Sequence, residues 1–90
     1  MPVGKVKQVI DGDTFVLAGG ERVRIANLVA PELGKNGGQA AKRRLKQVLP
    51  KGQQVGLSKP LAKSYGRIVR KVTVKGKPIN KLVTKPPKHH

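Results

Sequence analysis

The run Lys5-Val6-Lys7-Gln8-Val9-Ile10-Asp11-Gly12-Asp13-Thr14-Phe15-Val16-Leu17-Ala18-Gly19-Gly20-Glu21-Arg22-Val23-Arg24-Ile25-Ala26-Asn27-Leu28 breaks into three short apolar–polar pieces separated by two turn signals. Lys5 to Ile10 alternates as a half-buried strand does. Asp11-Gly12-Asp13 is a turn signal, and Thr14 to Leu17 behind it reads as a second strand. Ala18-Gly19-Gly20-Glu21 offers two glycines that reach positive φ without a steric cost, which suits a tight hairpin. Arg22 to Leu28 then alternates charged and apolar side chains as a third strand. Three strands joined by short turns form a meander.

The periodicity changes past Pro31. Leu33 to Gly38 is a glycine-rich loop, and Gln39 to Leu49 carries Ala41, Leu45 and Val48/Leu49 at helical spacing before Pro50 closes the segment. The opposite face holds Lys42, Arg43, Arg44 and Lys46, so the pattern predicts an amphipathic helix of about three turns. Gln54 to Leu57 reads as a fourth strand and Arg67 to Val74 as a fifth. Lys75-Gly76-Lys77 then turns the chain into a short helix over Pro78 to Val83. The expected protein is mainly β (α+β), in the order β-β-β-α-β-β with a C-terminal helix. That order suits a five-stranded OB-type Greek-key barrel whose mouth is sealed by the helix between strands 3 and 4. An open α+β sheet is the competing arrangement. Residues 1–84 read as one domain, and residues 85–90 as a basic, disordered tail.

With 90 residues the chain has no room for a second independent core. Lys and Arg number 20 against 4 Asp and Glu, a formal charge of +16. Such a surplus repels itself unless a polyanion relieves it, which implies a nucleic acid first and an anionic membrane surface second. No apolar run approaches the ~20 residues of a membrane span. No predicted helix sets a large apolar face beside its lysines, which disfavours a lipid surface. The chain has no cysteine, which removes disulfides, thiolate nucleophiles and Cys-based zinc sites together. Met1-Pro2-Val3-Gly4-Lys5 lacks the apolar core of a signal peptide, so none is expected in this chain and the compartment stays open. A monomer is expected. His89 and His90 read as a floppy end rather than as metal ligands.

Only four acids are present: Asp11, Asp13, Glu21 and Glu32. If the third strand returns beside the first turn, Asp13 and Glu32 converge in a strongly positive field. Carboxylates so placed repel nucleic acid unless they hold a divalent cation, and Ca²⁺ favours such oxygen ligands. The plainer reading of Asp11-Gly12-Asp13-Thr14 is an Asx-type turn. Likewise, Arg24 and Arg67 taken alone are two cations among many.

Val9-Ile10-Asp11-Gly12-Asp13-Thr14-Phe15, Arg22-Val23-Arg24-Ile25, Ala30-Pro31-Glu32 and Tyr65-Gly66-Arg67 occur in this order over most of the chain. Together they resemble the staphylococcal nuclease (thermonuclease) family. The resemblance implies the same OB barrel and cation-dependent hydrolysis of DNA and RNA phosphodiesters. It implies Asp13 as a Ca²⁺ ligand, Asp11 as the supporting acid, and Glu32 as the residue that activates or positions the attacking water. Arg24 and Arg67 match the arginines that clamp the scissile phosphate, and Tyr65 a phosphate-contacting tyrosine. Guanidinium forks suit that role because they are planar, cationic and bidentate.

Three departures stand against the family's pattern. Val29 occupies the position of a second carboxylate ligand, which weakens any Ca²⁺ site because ligand charge is a main determinant of affinity. Lys63-Ser64 stands where an acid is expected before Tyr-Gly-Arg. The chain carries one Phe and one Tyr, too few for a base-stacking platform. Two readings therefore stand open. One is a slow divalent-cation-dependent endonuclease; the other is a non-catalytic DNA- or RNA-binding module. In both, Lys42, Arg43, Arg44, Lys46, Lys63, Arg70 and Lys71 form the expected nucleic-acid surface, with phosphates as the contacted groups.

Overall fold

The N-terminal alternation appears as β1 (Val3–Asp11), β2 (Thr14–Leu17) and β3 (Arg22–Ile25), paired antiparallel in sequence order. The structure is a computed structural model and describes residues 2–30 and 37–83. Glu32, most of the glycine-rich loop and the tail 85–90 lie outside the described residues. After β3 come α1 (Gly38–Val48), β4 (Gln54–Leu57), β5 (Ala62–Ser64), β6 (Arg67–Arg70), β7 (Val72–Val74), β8 (Lys77–Pro78) and α2 (Ile79–Val83). Over the described residues the protein is mainly β, a mixed eight-stranded sheet with two short helices, in the strand order β5-β6-β3-β2-β1-β4-β7-β8. Only the β3–β6 pairing is parallel among the described strands.

Eight strands replace the five expected from the sequence. The single strand expected over residues 67–74 is two, interrupted at Lys71, and its halves pair with different neighbours: β6 with β3, β7 with β4. Ala62–Ser64 adds an edge strand that pairs with β6 through a two-residue turn. Lys77–Pro78 pairs with β7, so the C-terminal helix starts at Ile79. Pro78 is tolerated there because an edge strand does not need every N–H.

The interruption at Lys71 dictates the shape of the sheet. β6 and β7 stand second and seventh in the strand order. Flat, they would lie about 24 Å apart at ~4.8 Å per neighbour. The chain from Arg70 to Val72 spans ~7 Å at most. The sheet therefore curls until its two halves meet near Lys71. Ser58 fastens the meeting point: its N–H donates to the Lys71 carbonyl at 3.0 Å, and its hydroxyl accepts from the Lys71 N–H at 2.8 Å. β1 takes part in both halves, its start pairing with β4 and its remainder with β2. Two register shifts, each one extra residue in β1, fall between Val6 and Gln8 and between Val9 and Asp11. Such bulges bend a strand and re-aim its side chains.

Phe15, Val23, Ile25, Leu45, Leu49, Val55, Val72 and Ile79 fill the interior of this curl. Each such side chain contributes about 1.5–3 kcal/mol by leaving water. α1 joins the core through Ala41 and Leu45, with Leu49 just past its end. Its approach to the β1–β2 turn depends on Gly12: a Cβ there would lie 2.6 Å from the Ala41 Cβ and 2.8 Å from the Ala30 Cβ. The glycine of the turn signal thus serves a packing need, and it seats α1 against the turn that carries Asp13.

Candidate functional site

Asp13 leaves the β1–β2 turn with its own carbonyl accepting from the Ile25 N–H at 2.8 Å, which pins the turn to the end of β3. The residue after it, Thr14, pairs in register with Arg24 across β2 and β3. β6 runs parallel beside β3 and begins at Arg67. Three side chains from three separate strands and turns therefore meet at one end of the sheet.

Their hydrogen bonds form a chain. The Thr14 hydroxyl is buried; it donates to Asp13 Oδ1 at 2.8 Å and accepts from Arg67 Nη1 at 2.9 Å. Arg67 Nη1 also stands 3.8 Å from Asp13 Oδ1, and Arg24 Nη2 stands 3.4 Å from Asp13 Oδ2. Arg24 donates further to the carbonyls of Ile25 (2.6 Å) and Leu28 (3.1 Å). Arg67 Nε donates to the Ser64 carbonyl at 3.1 Å, with Nη2 3.4 Å from the Ser64 hydroxyl. The two guanidinium groups are held in fixed orientations around one carboxylate, and all three remain partly open to solvent. The cluster carries a formal surplus of one positive charge, preorganised to meet an oxyanion.

The Tyr65-Gly66 turn sets the position of Arg67. Both residues have positive φ, 51° and 78°, as a two-residue type I′ hairpin requires. Glycine takes that conformation freely, whereas tyrosine is strained in it. Tyr65 is 95% exposed at the tip, one turn from Arg67. Asp11 ends β1 opposite Thr14, half-buried, with no ion pair among the described residues. Val29 is 91% exposed and lines a pocket of about 320 Å³ with Gly12, Leu28, Ala30, Ala41, Arg44 and Val83. An apolar side chain so exposed adds nothing to the core.

The donor chemistry tests the fit of a calcium ion. Asp13 already accepts from Thr14 and faces two guanidinium groups, which repel a dication, and Val29 offers no oxygen. No group of three or more His, Asp or Glu side chains gathers among the described residues. The described residues by themselves do not make a Ca²⁺ site, whose usual set is about 6–8 oxygens.

The remaining cations divide by use. Arg70 donates Nε and Nη2 to Glu21 at 2.8 and 3.2 Å and Nη1 to the Ser58 carbonyl at 2.7 Å. Its side chain is 14% exposed and fastens β6 to the β2–β3 hairpin. Its charge is therefore answered inside the protein. Arg43, Arg44 and Lys46 are exposed on α1, Lys42 is half-buried, Lys63 is exposed on β5, and Lys71 is exposed between β6 and β7. Thr14 and Ser64, which orient the arginines, carried no sequence signal beyond lying next to them. No helix among the described residues is long and apolar enough to cross a membrane. No protein-family model matches this chain, and none of the curated proteins is significantly similar to it.

Proposed function

We propose that this protein binds nucleic acid through its backbone phosphates, with Arg24 and Arg67 as the orienting pair on an OB-type barrel of the staphylococcal nuclease kind. The observation that carries the reading is the meeting of Arg24 and Arg67 around Asp13, in a chain of net charge +16. Paired guanidinium groups in fixed orientation match the geometry of phosphate oxygens, and a surplus of lysines supplies sequence-independent attraction. The curl of the sheet and a β3–β6 parallel pairing that brings Arg67 to Arg24 are what such a barrel needs. Tyr65, one residue from Gly66 and the Arg67 strand, offers a single exposed ring beside the phosphate position rather than a stacking platform.

A second reading, phosphodiester hydrolysis, draws on the same convergence: Asp13, Arg24 and Arg67, three of the residues matched to the nuclease motifs, come together although 53 positions separate Thr14 from Arg67. In that reading Arg24 and Arg67 stabilise the charge that builds on the non-bridging oxygens, and Glu32 handles the water. Metal participation requires oxygen donors beyond those of the described residues.

One experiment addresses both. Labelled single-stranded and duplex DNA are titrated with protein over a range of salt, with a parallel incubation in millimolar Ca²⁺ or chelator. Binding to the duplex is expected to weaken with a log–log salt slope of several units, about −0.9 per phosphate neutralised. Arg24→Gln with Arg67→Gln is expected to weaken binding beyond the loss of two charges placed elsewhere. A flat salt dependence overturns the binding reading. Chelator-sensitive cutting that disappears in Arg67→Ala establishes hydrolysis, and binding without cutting removes it.

A further inference from the structure

We infer that the cleft between β1 and α1 is a second phosphate-binding site, built from Lys7, Lys42, Lys46 and Lys51, that grips consecutive phosphates of a nucleic-acid strand. The cleft holds about 270 Å³, with Gln8 on its wall and Val9, Leu49 and Pro50 completing its lining. Every charged group that lines it among the described residues is a lysine. The inference rests on the reading of the protein as a nucleic-acid binder and adds a separate place of contact to it.

The cleft is assembled from three parts of the chain for identifiable reasons. Val6 and Val9 both point into the core although they stand an odd number of positions apart, because the first register shift of β1 inserts an extra residue between Val6 and Gln8. The same shift leaves Lys7 and Gln8 both exposed, where strict alternation would bury one of them. Lys42 and Lys46 stand four positions apart on α1 and so share one face, a rise of about 6 Å. That separation is comparable to the distance between neighbouring phosphates along a strand. Lys51 follows Pro50, and the Val6 carbonyl accepts from the Gly52 N–H at 2.7 Å, which ties this turn to β1.

Charge then decides what the cleft is for. Like charges at i and i+4 disfavour a helix, and α1 has no acid in its first turn. Among the described residues every ion pair is made by Arg24, Arg67 or Arg70, so none of Asp11, Asp13 and Glu21 answers these four ammonium groups. The carbonyl end of α1 offsets part of the repulsion at Lys46. A chain of phosphates answers the rest. Ammonium groups on flexible stems act as point charges without bidentate geometry, so the cleft attracts phosphates without reading bases. A lipid surface is the poorer occupant, because Pro50 is the one exposed apolar residue in the described lining and none of the large exposed hydrophobics borders the cleft.

The test uses the full chain and a duplex DNA probe. The variant Lys7→Gln, Lys42→Gln, Lys46→Gln, Lys51→Gln is compared with a control that removes the same charge elsewhere: Lys59→Gln, Lys75→Gln, Lys77→Gln, Lys81→Gln. These control lysines are all exposed. Thermal melts establish that both variants are folded; if the fourfold cleft variant is not, the pair Lys7→Gln, Lys46→Gln replaces it. The cleft variant is expected to lose roughly tenfold or more in affinity and up to about 3.6 in the magnitude of the log–log salt slope, near 0.9 for each of four phosphates no longer neutralised. The control is expected to change both by much less. Equal losses in cleft variant and control overturn the inference, because net charge alone would then explain them. If Arg24→Gln with Arg67→Gln still weakens binding in that case, the broader reading of function survives the failure of this one. If the cleft variant keeps its duplex affinity and instead loses binding to phosphatidylserine vesicles, the occupant is a membrane and the inference is overturned.

Discussion

Replacing Asp13 by Asn keeps the shape of the side chain and removes one negative charge from between two guanidinium groups. The carboxylate oxygens stand 3.4 Å from Arg24 Nη2 and 3.8 Å from Arg67 Nη1. A phosphate bound to those same nitrogens therefore comes within ~4–6 Å of the carboxylate and is repelled by it. At about 4 Å, two unit charges interact by ~1 kcal/mol in water and ~4 kcal/mol at the effective dielectric near a protein surface. The cluster is partly open to solvent, which places the effect toward the lower half of that range, about 1.4–2 kcal/mol, or roughly 10–30-fold in affinity. Salt near 0.1 M, with a screening length of about 10 Å, leaves most of this short-range term intact.

The expected outcome is thus a gain in binding: Asp13→Asn holds a short single-stranded oligonucleotide more tightly than the parent, measured by fluorescence anisotropy in the presence of chelator. A short probe keeps the distant lysines from dominating the signal. The same change is expected to lower folding stability by about 1–2 kcal/mol, because the carboxylate no longer holds the two cations and the Thr14 hydroxyl loses a charged acceptor. The opposite signs are the core of the prediction. Unchanged or weaker binding by folded Asp13→Asn would refute the placement of the phosphate on the Arg24–Arg67 pair.

Gly12→Ala is expected to destabilise the protein by about 1–3 kcal/mol, the usual cost of overpacking, since its Cβ would meet the Ala41 and Ala30 side chains below 3 Å; a parent-like urea midpoint would show that α1 can shift freely. Glu21→Gln leaves Arg70 with a neutral partner at 14% exposure, and a loss of about 1–3 kcal/mol in the same assay is expected from the charge-assisted hydrogen bonds. An unchanged midpoint would mean that solvent serves Arg70 as well as Glu21 does. Tyr65→Asn puts a residue that accepts positive φ at a position where φ is 51°, and is expected to raise stability by about 0.5–1 kcal/mol. The accompanying loss of single-strand affinity would assign the exposed ring to binding; stability gained with affinity intact would leave Tyr65 without a part in it.

Local order was readable where the information sits within a few residues. The periods of β1 to β4 and α1, the glycine hairpin and the helix ending at Pro50 follow from apolar spacing and turn residues, and the structure agrees with them to within a few positions. The segment 67–74 misled for a physical reason. Its apolar residues Ile68, Val69, Val72 and Val74 are interrupted by Arg70-Lys71 and Thr73, with no Gly, Pro, Asn or Asp, so no turn residue marks Lys71 as the place where the strand exchanges one neighbour for another. That break is set by the curl of the sheet. The third strand reads to Leu28 in sequence, yet β3 ends at Ile25, and the apolar Val29 just beyond stands in solvent.

By itself, the amino-acid sequence determined the strand and helix segments, the excess of positive charge and the residue types from which a phosphate site can be made. Each is a property of neighbouring residues or of composition. Only the tertiary structure decided which cations are available to a ligand. Arg70 and Arg67 are three residues apart in one strand, yet Arg70 is answered by Glu21 while Arg67 reaches Thr14 and Asp13. Lys7 joins the lysines of α1 because the packing of α1 beside β1 brings them to one cleft, while a register shift, visible only in the pairing of β1 with β2, keeps Gln8 exposed next to it. Partners about 50 positions apart are chosen by strand pairing and curl, and charge acts through distance in space rather than separation along the chain.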